Sequence, residues 1–225
     1  GINLDFAPVM DVATNPQNPV IGDRAFSSDA NEVARLGAEF IKGIQSQGVA
    51  ACAKHFPGHG DTKDDSHFAL PVLDHELARL RKCEFIPFIS AIKNQVASIM
   101  TAHILLPNID PDSPATISHT IINNLLRKEL GFKNLVITDD MTMKGIADDY
   151  PVDESSWRSI RAGADVVLVC HGYDIARKAL NGLKKAIDND WVERSRVRDA
   201  LTNVSNFKSK YCKNKKISPL NVIGS

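Results

Sequence analysis

A parallel α/β fold, with strands inside and helices outside, is the class this sequence predicts. Three observations carry it. Short apolar runs alternate with segments of helical period, the runs lack the polar alternation of a half-wet strand, and ionisable clusters follow several runs directly. Strands too apolar to face water pair in parallel under helices. Both a doubly wound sheet and a β/α barrel then gather their chemistry at the C-terminal strand ends.

The first run is Ile2 to Val9 and the second Val49 to Phe56. Between them Val33, Leu36, Phe40, Ile41 and Ile44 recur at helical spacing. Asp29, with Glu32 three residues on, has the form of a cap at that helix's start. Leu77 to Lys93 reads as a helix interrupted or restarted around Pro87, and Ala97 to Ile104 as the third strand. Thr120 to Leu130 is a further helix that Gly131 should stop. Leu135 to Thr138 and Asp165 to Cys170 complete five strands, and the pattern after Cys170 is helical to about residue 208. No glycine-rich phosphate loop follows any strand, which weighs against nucleotide binding.

The 225 residues are few for a complete barrel, although 43% are hydrophobic, enough for a sizeable core. Basic and acidic side chains balance at 27 each, so no global field draws nucleic acid or an anionic membrane. The basic stretch Lys208 to Lys216 reads as a solvated tail. Cys52, Cys83, Cys170 and Cys212 form no CxxC pair; Cys52 and Cys170 lie in apolar runs, which fits buried thiols in a reducing compartment. No signal peptide and no membrane-length apolar run is expected.

The stretch KHFPGHGDTKDDSH, Lys54 to His67, holds three histidines and three aspartates in a loop after a strand. As a metal site, His55, His59, Asp61 and His67 have suitable donor atoms, but Pro57 and Gly58 break the helix that HxxxH spacing needs. As a proton-transfer site, Asp65 and His67 leave an extended segment on one side, and a carboxylate beside an imidazole makes an acid/base near neutral pH. As a plain loop, Asp65 caps a turn and His67 is solvated. Asp139 and Asp140 form a second carboxylate pair at a strand end; adjacent strand residues point to opposite sides, so at most one faces a barrel's centre. Aspartate equally suits a helix N-cap, so that one cap and one nucleophile would satisfy both readings.

KHFPGHG followed by DSH, together with GINLDFAPVMDV, IGDRAF and LLRKELGFKNLVITDD, resembles glycoside hydrolase family 3, in its bacterial β-N-acetylglucosaminidase (β-hexosaminidase) branch of peptidoglycan recycling. The likeness runs from Gly1 to about His171, with Asn134 standing where a glycine is usual. The resemblance implies a (β/α)8 TIM-type barrel catalytic domain over residues 1–208, followed by the basic tail at 209–225. It also implies a retaining mechanism with Asp139 as nucleophile and the His67–Asp65 dyad as acid/base. Arg24, Lys54 and His55 match residues that hold the sugar hydroxyls. His59 is expected to brace the loop, and Met141 and Met143 stand either at an acetamido pocket or in the core.

The same resemblance places further strands upstream of GINLDFAPV, so the barrel reads as lacking its N-terminal strands. A fragment, a partner chain that completes the barrel, and a truncated inactive relative that only binds sugar are the three readings of that shortfall; a metal-dependent hydrolase trails them. The expected ligand is an N-acetylglucosaminide, with no cofactor, metal, nucleic acid or membrane, and the branch implies a cytoplasmic location.

Overall fold

The computed structural model describes residues 1–212; most of the basic tail, 213–225, lies outside them. Five strands form one sheet in the order β1 (Leu4–Asp5), β2 (Ala50–Phe56), β3 (Ser98–Thr101), β4 (Leu135–Asp140) and β5 (Val166–Leu168), every pairing parallel. The result is an α/β half-barrel with β1 and β5 as its edges. β3 is buried along its whole length and β2 everywhere but Lys54, as expected for strands covered on both faces.

Helix α1 (Ala30–Ser46) begins where Asp29 accepts hydrogen bonds from the amides of Asn31 and Glu32, and it buries Val33, Ala34, Gly37, Ala38 and Ile41. The break expected around Pro87 falls three residues earlier, between α2 (Leu77–Lys82) and α3 (Phe85–Lys93). Pro87 sits in the first turn of α3, where its missing N–H would have had no helical partner. A π-type helix, Thr120–Glu129, precedes Gly131, whose φ of 74° reverses the chain as a C-terminal glycine should. After β4 come α4 (Lys144–Ala147) and α5 (Val152–Ala162); the stretch beyond Cys170 divides into α6 (Tyr173–Asp188) and α7 (Arg194–Tyr211).

The core centres on Phe56, Phe85 and Phe88, all fully buried, with Phe56 stacked on Phe85 at 5.6 Å and edge-on to Phe88 at 5.2 Å. At the opposite end from the site, Phe207 and Tyr211 of α7 cover the strand starts at Leu4, Ala50 and Ala97. There the buried Asp165 accepts from Arg127, Arg196, Asn203 and the Val136 amide, tying α7 and the π-type helix to β4 and β5. Cys52 is buried and its thiol is pushed up to about 12, chiefly by that burial. Cys170 is exposed, because β5 ends at Leu168 and the chain has already turned outward. No helix among the described residues is long and apolar enough to cross a membrane.

Candidate active site

The parallel register slips at two places, between Ala53 and Phe56 on β2 and between Ile137 and Asp140 on β4. The skipped residues are Lys54 and His55 in the first case and Thr138 and Asp139 in the second. An irregularity of this kind bends a strand and re-aims its side chains. Both slips sit at C-terminal strand ends, and together they bring His55 beside Asp139: Nε2 of His55 lies 3.9 Å from Asp139 Oδ2.

The two neighbouring aspartates have different surroundings. Asp139 keeps about a fifth of its side chain open to solvent and accepts the Asp140 amide at 2.8 Å. Asp140 accepts from the Thr142 amide and hydroxyl and from the Cys170 amide, so it braces the turn before α4 against the end of β5. Burial pushes the Asp140 carboxyl up, but these donors outweigh it and hold it below the ordinary range. It does not cap α4 itself, whose N-cap is Met143. Thr138 is buried and accepts the Leu168 amide at 2.9 Å, and buried His103 bridges the Thr116 hydroxyl and the Asp140 carbonyl.

The Asp65–His67 pair forms, in a turn rather than in an extended segment. Asp65 Oδ1 receives both the His67 amide, at 2.8 Å, and His67 Nδ1, at 2.7 Å. The turn-capping contact and the carboxylate–imidazole contact are made by the same oxygen. The His67 side chain is 58% exposed, with its outer nitrogen free to meet a ligand. The loop docks on α4, the helix that follows β4, where the Gly145 amide donates to the Ser66 carbonyl at 2.9 Å. A Cβ on Gly145 would fall 2.6 Å from that oxygen, so the approach needs glycine.

His59 is a bracing residue. Its buried ring lies between the Thr62 hydroxyl at 2.7 Å and the Ser66 hydroxyl at 3.0 Å. With both nitrogens engaged it has none to offer a metal, and among the described residues no group of three or more His, Cys, Asp or Glu side chains is arranged to hold one. Met141 and Met143 are both buried, Met141 in a cluster with Ile117 and Ile146. Lys54 is half-buried at the end of β2. Arg24 is exposed on the short helix Gly22–Arg24, and its guanidinium donates to the Val20 carbonyl at 2.8 Å and 3.2 Å. The structure thus brings His55 and Asp139 together directly and holds Arg24 on its own loop.

Two functional-looking residues escaped the sequence reading. Asp11, in the loop after β1, is fully buried and accepts from the His55 amide, His55 Nδ1 and the His59 amide. Buried Asn18 donates to the His59 carbonyl and accepts the amides of Val20 and Ile21, joining the Arg24 loop to the histidine turn. The signal for Asp11 was a lone carboxylate in an apolar stretch, which has to find donors.

A parallel α/β half-barrel with carboxylates and imidazoles gathered at its C-terminal strand ends belongs to the class of barrel scaffolds that work from that face. More narrowly, the chain belongs to glycosyl hydrolase family 3: residues 1–207 match the Glycosyl hydrolase family 3 N terminal domain. It is 35% identical over 228 residues to "Beta-hexosaminidase A" of Pseudoalteromonas piscicida, covering 93% of this chain and 38% of that protein. A "Beta-hexosaminidase" of Idiomarina loihiensis is 40% identical over 171 residues, 76% of this chain and 51% of its own. The structure of a glycoside hydrolase family 3 beta-N-acetylglucosaminidase from Paenibacillus sp. str. FPU-7 superposes with a TM-score of 0.94 at 41% identity, covering 97% of this chain and 42% of that one. The chain spans about half the length, or less, of these relatives.

Proposed function

We propose that the chain carries the catalytic face of a retaining exo-β-N-acetylglucosaminidase, which removes terminal N-acetylglucosamine from cell-wall muropeptides in the cytoplasm. The observation that carries this reading is the Asp65–His67 contact at 2.7 Å, on a loop docked on α4, the helix that follows the strand carrying Asp139. The names of the β-hexosaminidase relatives support the substrate class.

In this mechanism a carboxylate oxygen of Asp139 attacks the anomeric carbon as the glycosidic C–O bond breaks, and the departing oxygen takes the proton from His67. A covalent glycosyl–Asp139 ester results. His67, now neutral, takes a proton from water; that water attacks the anomeric carbon, the ester bond breaks and Asp139 is restored. Asp65 holds Nδ1 of His67 throughout, so the outer nitrogen does the transfer. Lys54, His55 and Arg24 bind sugar hydroxyls, and the chemistry uses no cofactor.

A second reading, a relative that binds sugar or needs a partner chain to turn it over, draws on the free edge of β1, where Ile2 is 73% exposed and Phe6 38%. Turnover of 4-nitrophenyl N-acetyl-β-D-glucosaminide by the chain alone separates the two. Release of nitrophenol, unchanged by a chelator, is the expected result. A folded chain with no turnover supports the second reading, and loss of turnover on chelation supports a metal-dependent hydrolase.

A further inference from the structure

Asp11 takes no step in the displacement above, yet its side chain is the most enclosed carboxylate at this end of the sheet, with no exposed surface. Its Oδ2 lies 2.8 Å from His55 Nδ1 and 3.2 Å from the His55 amide, and its Oδ1 accepts the His59 amide at 2.6 Å. A carboxylate sealed from water is stable only when donors fill its lone pairs, and here they come from the turn that begins at the end of β2. Burial by itself would push the Asp11 carboxyl up. The attraction of His55 when its ring is protonated, the hydrogen bond from that ring and the His59 amide outweigh it and hold the group below the ordinary carboxylate value of 3.8. The two backbone amides donate whatever the charge on the rings.

An ionised carboxylate only accepts, so the hydrogen between Asp11 and His55 belongs to Nδ1. Nε2 is then the ring nitrogen turned away from Asp11, and it stands 3.9 Å from Asp139 Oδ2. In the opposite neutral tautomer, Nε2–H would aim a donor at Asp139, while Nδ1 and Asp11 would face each other as two acceptors.

We infer that Asp11 is a positioning residue that holds His55 in the Nδ1–H tautomer, leaving Nε2 as an acceptor for a hydroxyl of the sugar beside Asp139. The identity of that hydroxyl rests on the hydrolase reading; the tautomer does not. The arrangement gives the nucleophile a neighbour that orients substrate without donating to the attacking oxygen. It also explains why the aspartate lies behind the ring, out of reach of solvent.

The test is a long-range proton–nitrogen correlation spectrum of the full chain labelled with ¹⁵N-histidine, at a pH where His55 is neutral, with His55→Gln assigning the resonance. The expected wild-type ring is protonated at Nδ1 and bare at Nε2. In Asp11→Asn the carboxamide N–H donates to Nδ1 while its oxygen keeps the His59 amide, so the ring reverses to Nε2–H. In the kinetic arm, kcat/KM on the nitrophenyl N-acetylglucosaminide falls about 10- to 100-fold, the range for losing a partner that orients a functional histidine. The same substitution made in a His55→Gln background adds less than about twofold, since coupled residues are not additive. A merely structural Asp11 would not reverse the tautomer. A wild-type ring bare at Nδ1, or an unchanged tautomer in folded Asp11→Asn, overturns the inference; should that variant not fold, the wild-type spectrum alone decides. The spectrum reads His55 whether or not the chain turns over substrate, so absent turnover overturns the hydrolase reading and not the tautomer.

Discussion

One oxygen of Asp65 receives both the backbone N–H and the ring Nδ1 of His67, at 2.8 Å and 2.7 Å. Burial pushes the Asp65 carboxyl up, but the two donors from His67 outweigh it and keep the group below the ordinary value. The same contact therefore shapes the turn and orients the ring, and substitution separates the two roles. Asparagine at position 65 retains an oxygen for the amide but no charge for the ring. Asp65→Asn is expected to leave the melting temperature nearly unchanged and to lower kcat about 100-fold or more, within the range for general acid–base catalysis. Thermal melts beside steady-state kinetics check it.

Acid stability should report Asp11. Its folded pKa lies below 3.8, so the unfolded chain takes up the proton first as pH falls. Its contribution is complete at pH above 3.8 and is lost as pH drops through the lower, folded value. Urea unfolding of wild type and Asp11→Asn should show a stability gap that is present above about pH 4 and closes below it. A gap that widens in acid would mean the opposite shift.

Asp165 is the counterpart at the other end of the sheet, serving the fold and no chemistry. Removing it in Asp165→Ala leaves Arg127 without its ion-pair partner and Arg196 with only Asp199 at 3.9 Å, their side chains being 13% and 16% exposed. The expected cost is about 3–5 kcal/mol, the range for breaking a buried ion pair from one side. Equilibrium denaturation measures it.

Glycines should differ sharply by position. A Cβ on Gly60 would fall 1.8 Å from the Val12 carbonyl oxygen, which is backbone and has no side-chain freedom to yield, whereas one on Gly43 within α1 meets nothing within 4 Å. Gly60→Ala is expected to destabilise by about 1–3 kcal/mol or more, and Gly43→Ala to stabilise by about 0.5–1 kcal/mol. Paired melting curves decide between them.

Most of the architecture was legible from local pattern. Runs that leave no polar face specify a buried parallel sheet, and the cap at Asp29 and the stop at Gly131 formed where residue type placed them. The Asp65–His67 contact is local, two residues apart, but its acid/base role came from the family resemblance and not from that spacing. What stayed hidden depends on distance along the chain. Asp11 finds its donors 44 and 48 residues away, and no spacing rule reaches that far. Both register slips arise from pairing between strands, so Lys54, His55 and Asp139 were nameable while their convergence was not. Pro87 misled because proline ends a helix from its interior but suits a first turn. Cys170 misled because an apolar run outlasted the strand it announced.

The most direct measurement of the central claim is intact-mass analysis of the chain after incubation with a 2-acetamido-2-deoxy-5-fluoro-glycosyl fluoride, followed by peptide mapping. The nucleophile reading expects one sugar-mass adduct, located on Asp139 and missing from Asp139→Asn. An adduct on any other residue, or no adduct on a folded chain that still hydrolyses the nitrophenyl substrate, would contradict it.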